Sequence, residues 1–178
     1  MNIKVISYSF TGNNESLACS IAQELSAEHI KVSEPKPRTM GIIILDMLFK
    51  RIPRVQPTPE ELNGYDLLLF LGPVWMGQVA APLRSYLRHL KSHPANYAFI
   101  SISGGADAGN GKLEGDLEKR TGIKPAAIID LHIADLLPVS NKVERKDTAS
   151  YKINNNDITK LTSITMTQLT SAIPRIKG

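Results

Sequence analysis

The sequence predicts an α/β fold in three layers, with a five-stranded parallel sheet covered by helices on both faces. Three observations predict it. Apolar runs of strand length alternate along the chain with segments of helical periodicity. The run Leu67-Leu68-Leu69-Phe70-Leu71 is apolar without interruption, the mark of a strand covered on both sides. Several strands are followed by loops rich in glycine, serine and asparagine, and ligands of such sheets sit at the carboxyl ends of strands. At 178 residues the whole chain suits one domain with a substantial core.

The elements follow in order. Ile3 to Ile6 reads as the first strand. A helix from Asn14 to Glu28 places Leu17, Ala18, Ile21, Ala22 and Leu25 on one face. A short strand near His29 to Ser33 ends at the breakers Pro35 and Pro37. Thr39 to Arg51 reads as a helix, with a strand as the alternative for Ile42 to Leu45. It is too apolar all round for a solvated surface helix. Tyr65 to Leu71 is the clearest strand, and Val79 to Lys91 a helix with Leu83, Leu87 and Leu90 inward and Arg84, Arg88 and Lys91 outward. A strand from Tyr97 to Ser103 leads into the glycine-rich Gly104 to Gly111. A short helix, Lys112 to Thr121, is closed by Gly122. Ala126 to Ala134 is the fifth strand, residues 136–156 an irregular excursion, and Asn156 to Ile173 the last helix.

Several chemistries are excluded. The lone Cys19 allows no intramolecular disulfide and no CxxC motif. His29, His89, His93 and His132 lie in separate elements without metal-ligand spacing and read as surface residues. Gly105 to Lys112 misses the nucleotide P-loop, because five residues separate Gly105 from Gly111 and Leu113 stands where Ser or Thr is required. No segment is long enough and apolar enough for a membrane span, and a chain that enters a strand at once is expected in the cytoplasm. The net charge of +4 resides between Lys31 and Arg54, where six basic residues face two acids. The rest of the chain is balanced, so no nucleic-acid surface is expected. The apolar run from Met40 to Phe49, rimmed by Lys36, Arg38, Lys50, Arg51 and Arg54, has the composition of a docking or homodimer surface. A buried crossover helix with solvated basic ends is the alternative.

The loop Ser9-Phe10-Thr11-Gly12-Asn13-Asn14 joins a buried strand directly to a helix. Hydroxyls, a glycine that lets the backbone approach, and amides at a helix N-terminus together favour a phosphate, although the same residues also serve ordinary capping. This loop resembles the phosphate loop of flavodoxins. Gly72-Pro73-Val74-Trp75-Met76-Gly77 resembles the second flavin loop of flavodoxin-like proteins, and Ser103-Gly104-Gly105 occupies the place of the third. The resemblance implies the sheet order 2-1-3-4-5 and bound FMN. Ser9, Thr11, Gly12, Asn13 and Asn14 would hold its phosphate, beside Phe10. Pro73, Val74, Trp75, Met76 and Gly77 would line the ring, and Ser103, Gly104 and Gly105 would approach its polar edge. The implied function is an FMN-dependent oxidoreductase or electron carrier, exchanging electrons with NAD(P)H, a quinone or a partner protein. A third loop without a bulky aromatic tilts the reading toward an enzyme. The alternative is a flavin-free interaction module that kept the fold.

Overall fold

The computed structural model describes residues 1–105, 110–138 and 143–177. Residues 106–109 of the glycine-rich stretch and 139–142 of the excursion lie outside the described residues.

The central sheet has five parallel strands in the order β2-β1-β3-β6-β7, formed by β1 (Ile3–Ser7), β2 (Glu28–Lys31), β3 (Leu67–Leu71), β6 (Asn96–Ser103) and β7 (Ala127–His132). A two-stranded antiparallel hairpin, β4 (Val74–Trp75) with β5 (Gln78–Val79), stands apart from it. Counting sheet strands alone, this is the order expected.

Alternation along the strands builds two cores. Ile3, Val5, Leu67, Leu69, Leu71, Ala98, Ile100 and Ile102 face α1 (Asn13–Glu24) and α6 (Asn155–Ala172). Ile6, Leu68, Phe70, Tyr97 and Phe99 face the opposite layer of α3 (Arg84–His89) and α4 (Leu113–Thr121). All five residues of β3 are at most 1% exposed, as its unbroken apolarity requires.

Element boundaries shift where local geometry intervenes. The first helix ends at Glu24, four residues early, because Ser26 adopts φ 49 and turns the chain toward β2. Val79 is not helical. Met76 (φ 50) and Gly77 (φ 74) make the two-residue turn of the β4–β5 hairpin, and a 3₁₀ turn over Ala81–Leu83 precedes α3. That shortened, rotated start carries the guanidinium of Arg84 inward, opposite to the expectation. It is 1% exposed.

The segment over 39–51 is helical, as α2 (Met40–Leu48), capped by Thr39 Oγ1 accepting from Ile42 N. Only Ile43 and Asp46 of it are buried, whereas Met40, Ile44, Leu45 and Leu48 are exposed, as is the following Phe49. Two of the five rim residues, Arg38 and Arg51, are paired with acids. Arg38 is buried and paired with Glu34 (2.6 Å) and with Asp46, Lys31 pairs with Glu15 (2.6 Å), and Arg51 lies 3.6 Å from Asp46. Among the described residues no helix is long and apolar enough to cross a membrane.

Candidate functional site

The three loops singled out by sequence follow β1, β3 and β6, which are neighbours in the sheet. They gather at its carboxyl edge, beside the point where strand order reverses between β1 and β3.

The first loop is a tight, polar turn. Gly12 N donates to Ser9 Oγ (2.9 Å), which leaves the Ser9 hydroxyl proton free to donate outward. Gly12 sits at φ 99, in the left-handed region. A Cβ there would meet nothing within 4 Å, so glycine is required for backbone conformation and not for room. The helix α1 starts at once, and its first N–H groups have no intrahelical acceptor. The macrodipole favours negative charge at that end. The acid in this first turn, Glu15, is held by Lys31. Thr11 is exposed beside it.

Asn13 and Asn14 behave differently from expectation. Both are buried (4% and 3% exposed), and their side-chain amides are committed inward. Asn14 Nδ2 donates to Ile102 O (3.1 Å) and its Oδ1 accepts from Ile102 N (2.9 Å), extending the ladder of β6 beyond its pairing with β3. Asn13 Nδ2 donates to Tyr151 O (2.9 Å), and Oδ1 accepts from Ile153 N (3.2 Å). What these residues offer an anion is therefore the main-chain N–H.

The second loop is the β4–β5 hairpin. Val74 is buried in the second core and does not line an open site. Trp75 is half-buried and meets Tyr8 and Phe10 edge-on, with ring centroids 6.4 and 6.3 Å apart. This aromatic row joins the first loop to the second. Burial pushes the Tyr8 hydroxyl up to about 12, against the opposing charge of Arg38, so the phenol stays neutral. Pro73 and Gly77 are half-buried, and Met76 at the tip is 83% exposed.

The third loop explains its own glycines. A Cβ on Gly104 would lie 2.8 Å from Thr148 Oγ1. On Gly105, at φ 77, it would lie 2.5 Å from His132 Cβ. Asp130 bonds Asn110 through N and Nδ2 (3.2, 3.0 and 2.9 Å), and His132 Nε2 lies 3.2 Å from Asp130, so the far end of the loop is fastened to β7. Ser103 is half-buried at the end of β6.

Sequence reasoning missed the contribution of the excursion. Thr148 of α5 (Arg145–Ala149) packs on Gly104, while Tyr151 and Ile153 hold Asn13. One local signal was present. Asn154 and Asp157 form a capping box at the start of α6, which fixes where the excursion must return.

No protein-family model matches the chain, and no curated protein matches it in sequence. Solved structures match it in fold. A flavoprotein of Lactobacillus acidophilus NCFM in complex with FMN is 21% identical, over 72% of this chain and 92% of that one, with a TM-score of 0.63. The apo form of the flavoprotein from that organism covers 75% of this chain and 94% of its own at 21% identity and TM-score 0.58. A flavodoxin from the domain Archaea covers 97% and 99% at 12% identity and TM-score 0.52. The architecture is a flavodoxin-like α/β fold.

Proposed function

We propose that this chain is an FMN-binding redox protein. The observation that carries the reading is the first loop. The Ser9 hydroxyl and the unpaired amides at the start of α1 flank an open Gly12 beside the exposed Thr11, and the acid nearby is neutralised. That donor set fits a phosphate monoester without any cation in the loop. The FMN complex of the similar Lactobacillus flavoprotein supports the choice of anion.

In this reading Ser9, Thr11, Gly12 and the main chain of Asn13 and Asn14 anchor the phosphate. Trp75, Pro73, Met76 and Gly77 border the ring, and Ser103 to Gly105 approach its polar edge. FMN supplies the electron or hydride chemistry, and the protein supplies anchoring, packing and local polarity. Electrons pass between the flavin and NAD(P)H, a quinone or a partner protein. The experiment that tests the reading compares FMN with riboflavin, which lacks the phosphate. Thr11→Ala removes a hydrogen bond to a charged group, worth about 1.5–3 kcal/mol. FMN affinity should fall about ten- to a hundredfold while riboflavin affinity stays level. Equal losses for both ligands remove the phosphate assignment.

The exposed apolar side of α2 favours a second reading, a flavin-free interaction module. Purified protein that is colourless and takes up no added FMN selects it.

A further inference from the structure

A cleft of about 520 Å³ lies between the end of α2, the β4–β5 hairpin, α3 and α4, apart from the anion-binding turn after β1. Its volume is that of a small-molecule site, about 300–1,000 Å³. Lys50, Arg88, Lys91, Lys112 and Lys119 line it, all exposed, and among the described residues none has a carboxylate within salt-bridge distance. The acid on its wall, Asp116, is already committed. Its two oxygens accept from Arg120 at 2.8 and 2.9 Å, and one also accepts from Val79 N.

A second, independent observation lies in the inner wall. Among the described residues the side chains of Lys4, Arg38 and Arg84 are almost wholly buried. Lys4 has Glu28 at 3.1 Å, and Arg38 has Glu34 and Asp46. Arg84, which borders the cleft, has only neutral acceptors: Val79 O (3.0 Å), Asp46 O (2.9 Å), Arg51 O (3.3 Å) and Gln78 Oε1 (3.3 Å). Burial, with Arg120 adding repulsion, outweighs the nearby carboxylates of Asp116 and Asp46 and pushes its pKa down to about 10. Like charges crowded at one concave surface raise the local potential and concentrate anions there.

We propose that this cleft binds a small molecule carrying two or more phosphates, held by Arg88, Lys91, Lys112 and Lys119, with Ile52 and Met76 receiving an apolar portion. Concentrated charge on a compact ligand lets several cations share one group, and guanidinium is suited to phosphate geometry. A concave site of this size selects a small ligand over an extended protein surface. The cleft meets the border assigned to the flavin ring at Met76 and Gly77, whereas its cations lie outside that border.

The test is calorimetric titration of the full chain at low salt with ATP, tripolyphosphate and adenosine. ATP and tripolyphosphate should bind and adenosine should not. The double substitution Arg88→Glu with Lys119→Glu should weaken both at least about tenfold, and FMN affinity, followed by flavin fluorescence, should not change. Lys91→Gln, a milder exposed change, should weaken ATP in the same direction if the double variant fails to fold. ATP binding tighter than tripolyphosphate identifies a nucleotide that uses the Ile52–Met76 wall. Equal affinities identify the phosphate chain alone, and both support the site. ATP failing to bind the wild type, binding the double variant equally well, or being outdone by a glutamate-rich peptide overturns it.

Discussion

The turn after β1 and the hairpin after β3 stand side by side and are built in opposite ways. In the first, two asparagine amides are buried and double-bonded to backbone 88 and about 140 residues away, so the turn is clamped from behind. In the second, the tip is exposed and its backbone holds a methionine at φ 50 whose residue is 83% exposed. The difference teaches where precision is stored. The clamped turn presents main-chain donors whose positions are set by the sheet itself, which suits an anchor. The hairpin buries Val74 and Val79 in the second core and leaves its Met76–Gly77 tip toward solvent, so what it presents is a projecting tip on a fixed base.

The clamp breaks most visibly at Asn14. Asn14→Ala leaves the N–H and C=O of Ile102 without partners, and each orphaned buried group costs about 1–3 kcal/mol. Unfolding by urea should show a loss of about 2–6 kcal/mol with an unchanged m-value. A loss below the range for one group means that Ile102 finds water instead.

Gly12 tests the clamp without touching a contact. Gly12→Ala meets no neighbour, so its cost is the left-handed backbone alone, about 1–2 kcal/mol. Gly12→Asn should recover part of it, because asparagine tolerates that region. Identical stabilities for the two variants would show that the turn has flipped to another conformation.

Trp75 is the only tryptophan, so its emission reports on the hairpin alone. FMN should quench it strongly on titration, and unchanged emission at saturation places the ring away from the second loop.

A smaller effect concerns acid. His29 bonds Ser7 Oγ through Nε2 (2.8 Å) and lies 3.6 Å from Cys19 Sγ through Nδ1, so it is not the plain surface histidine expected. Burial lowers its pKa below the ordinary 6.5, with Glu15 opposing. The unfolded chain therefore binds more protons in the window just below pH 6.5, and stability rises with pH there. His29→Gln should flatten that rise in thermal melts between pH 5 and pH 7, and an unaltered slope assigns the acid limb to other groups.

The smallest change is in the hairpin. Met76→Asn places an Asn-Gly pair at a turn whose two residues both have positive φ. A gain of about 0.5 kcal/mol is expected, and a loss would show that Met76 packs against something in solution.

Much of this molecule was legible in the sequence because it rests on local pattern. The unbroken apolarity of Leu67 to Leu71 announces a strand with two covered faces, and Gly122 at φ 79 closes α4 where a C-cap was expected. The turn from Ser9 to Asn14 was legible as an anion-friendly place for the same reason. What Asn13 and Asn14 do with their side chains was not, since their partners sit far along the chain and no local rule names them. Arg84 misled for a related cause. Helical spacing assigns an arginine to solvent, whereas the carbonyls of Asp46 and Arg51, 38 and 33 residues earlier, draw it inward. The hairpin was missed because methionine at positive φ gives no turn signal.

The bond between Asn13 and Tyr151 spans 138 positions. During synthesis Ser9 to Asn14 are made well before the segment that braces the turn. Contacts of such long range close late, after the loop-closure entropy has been met. Nascent or truncated chains ending before Tyr151 would thus carry every donor of the first loop and still lack its finished shape. Ligand uptake at this turn should therefore report that the segment carrying Tyr151 and Ile153 has docked.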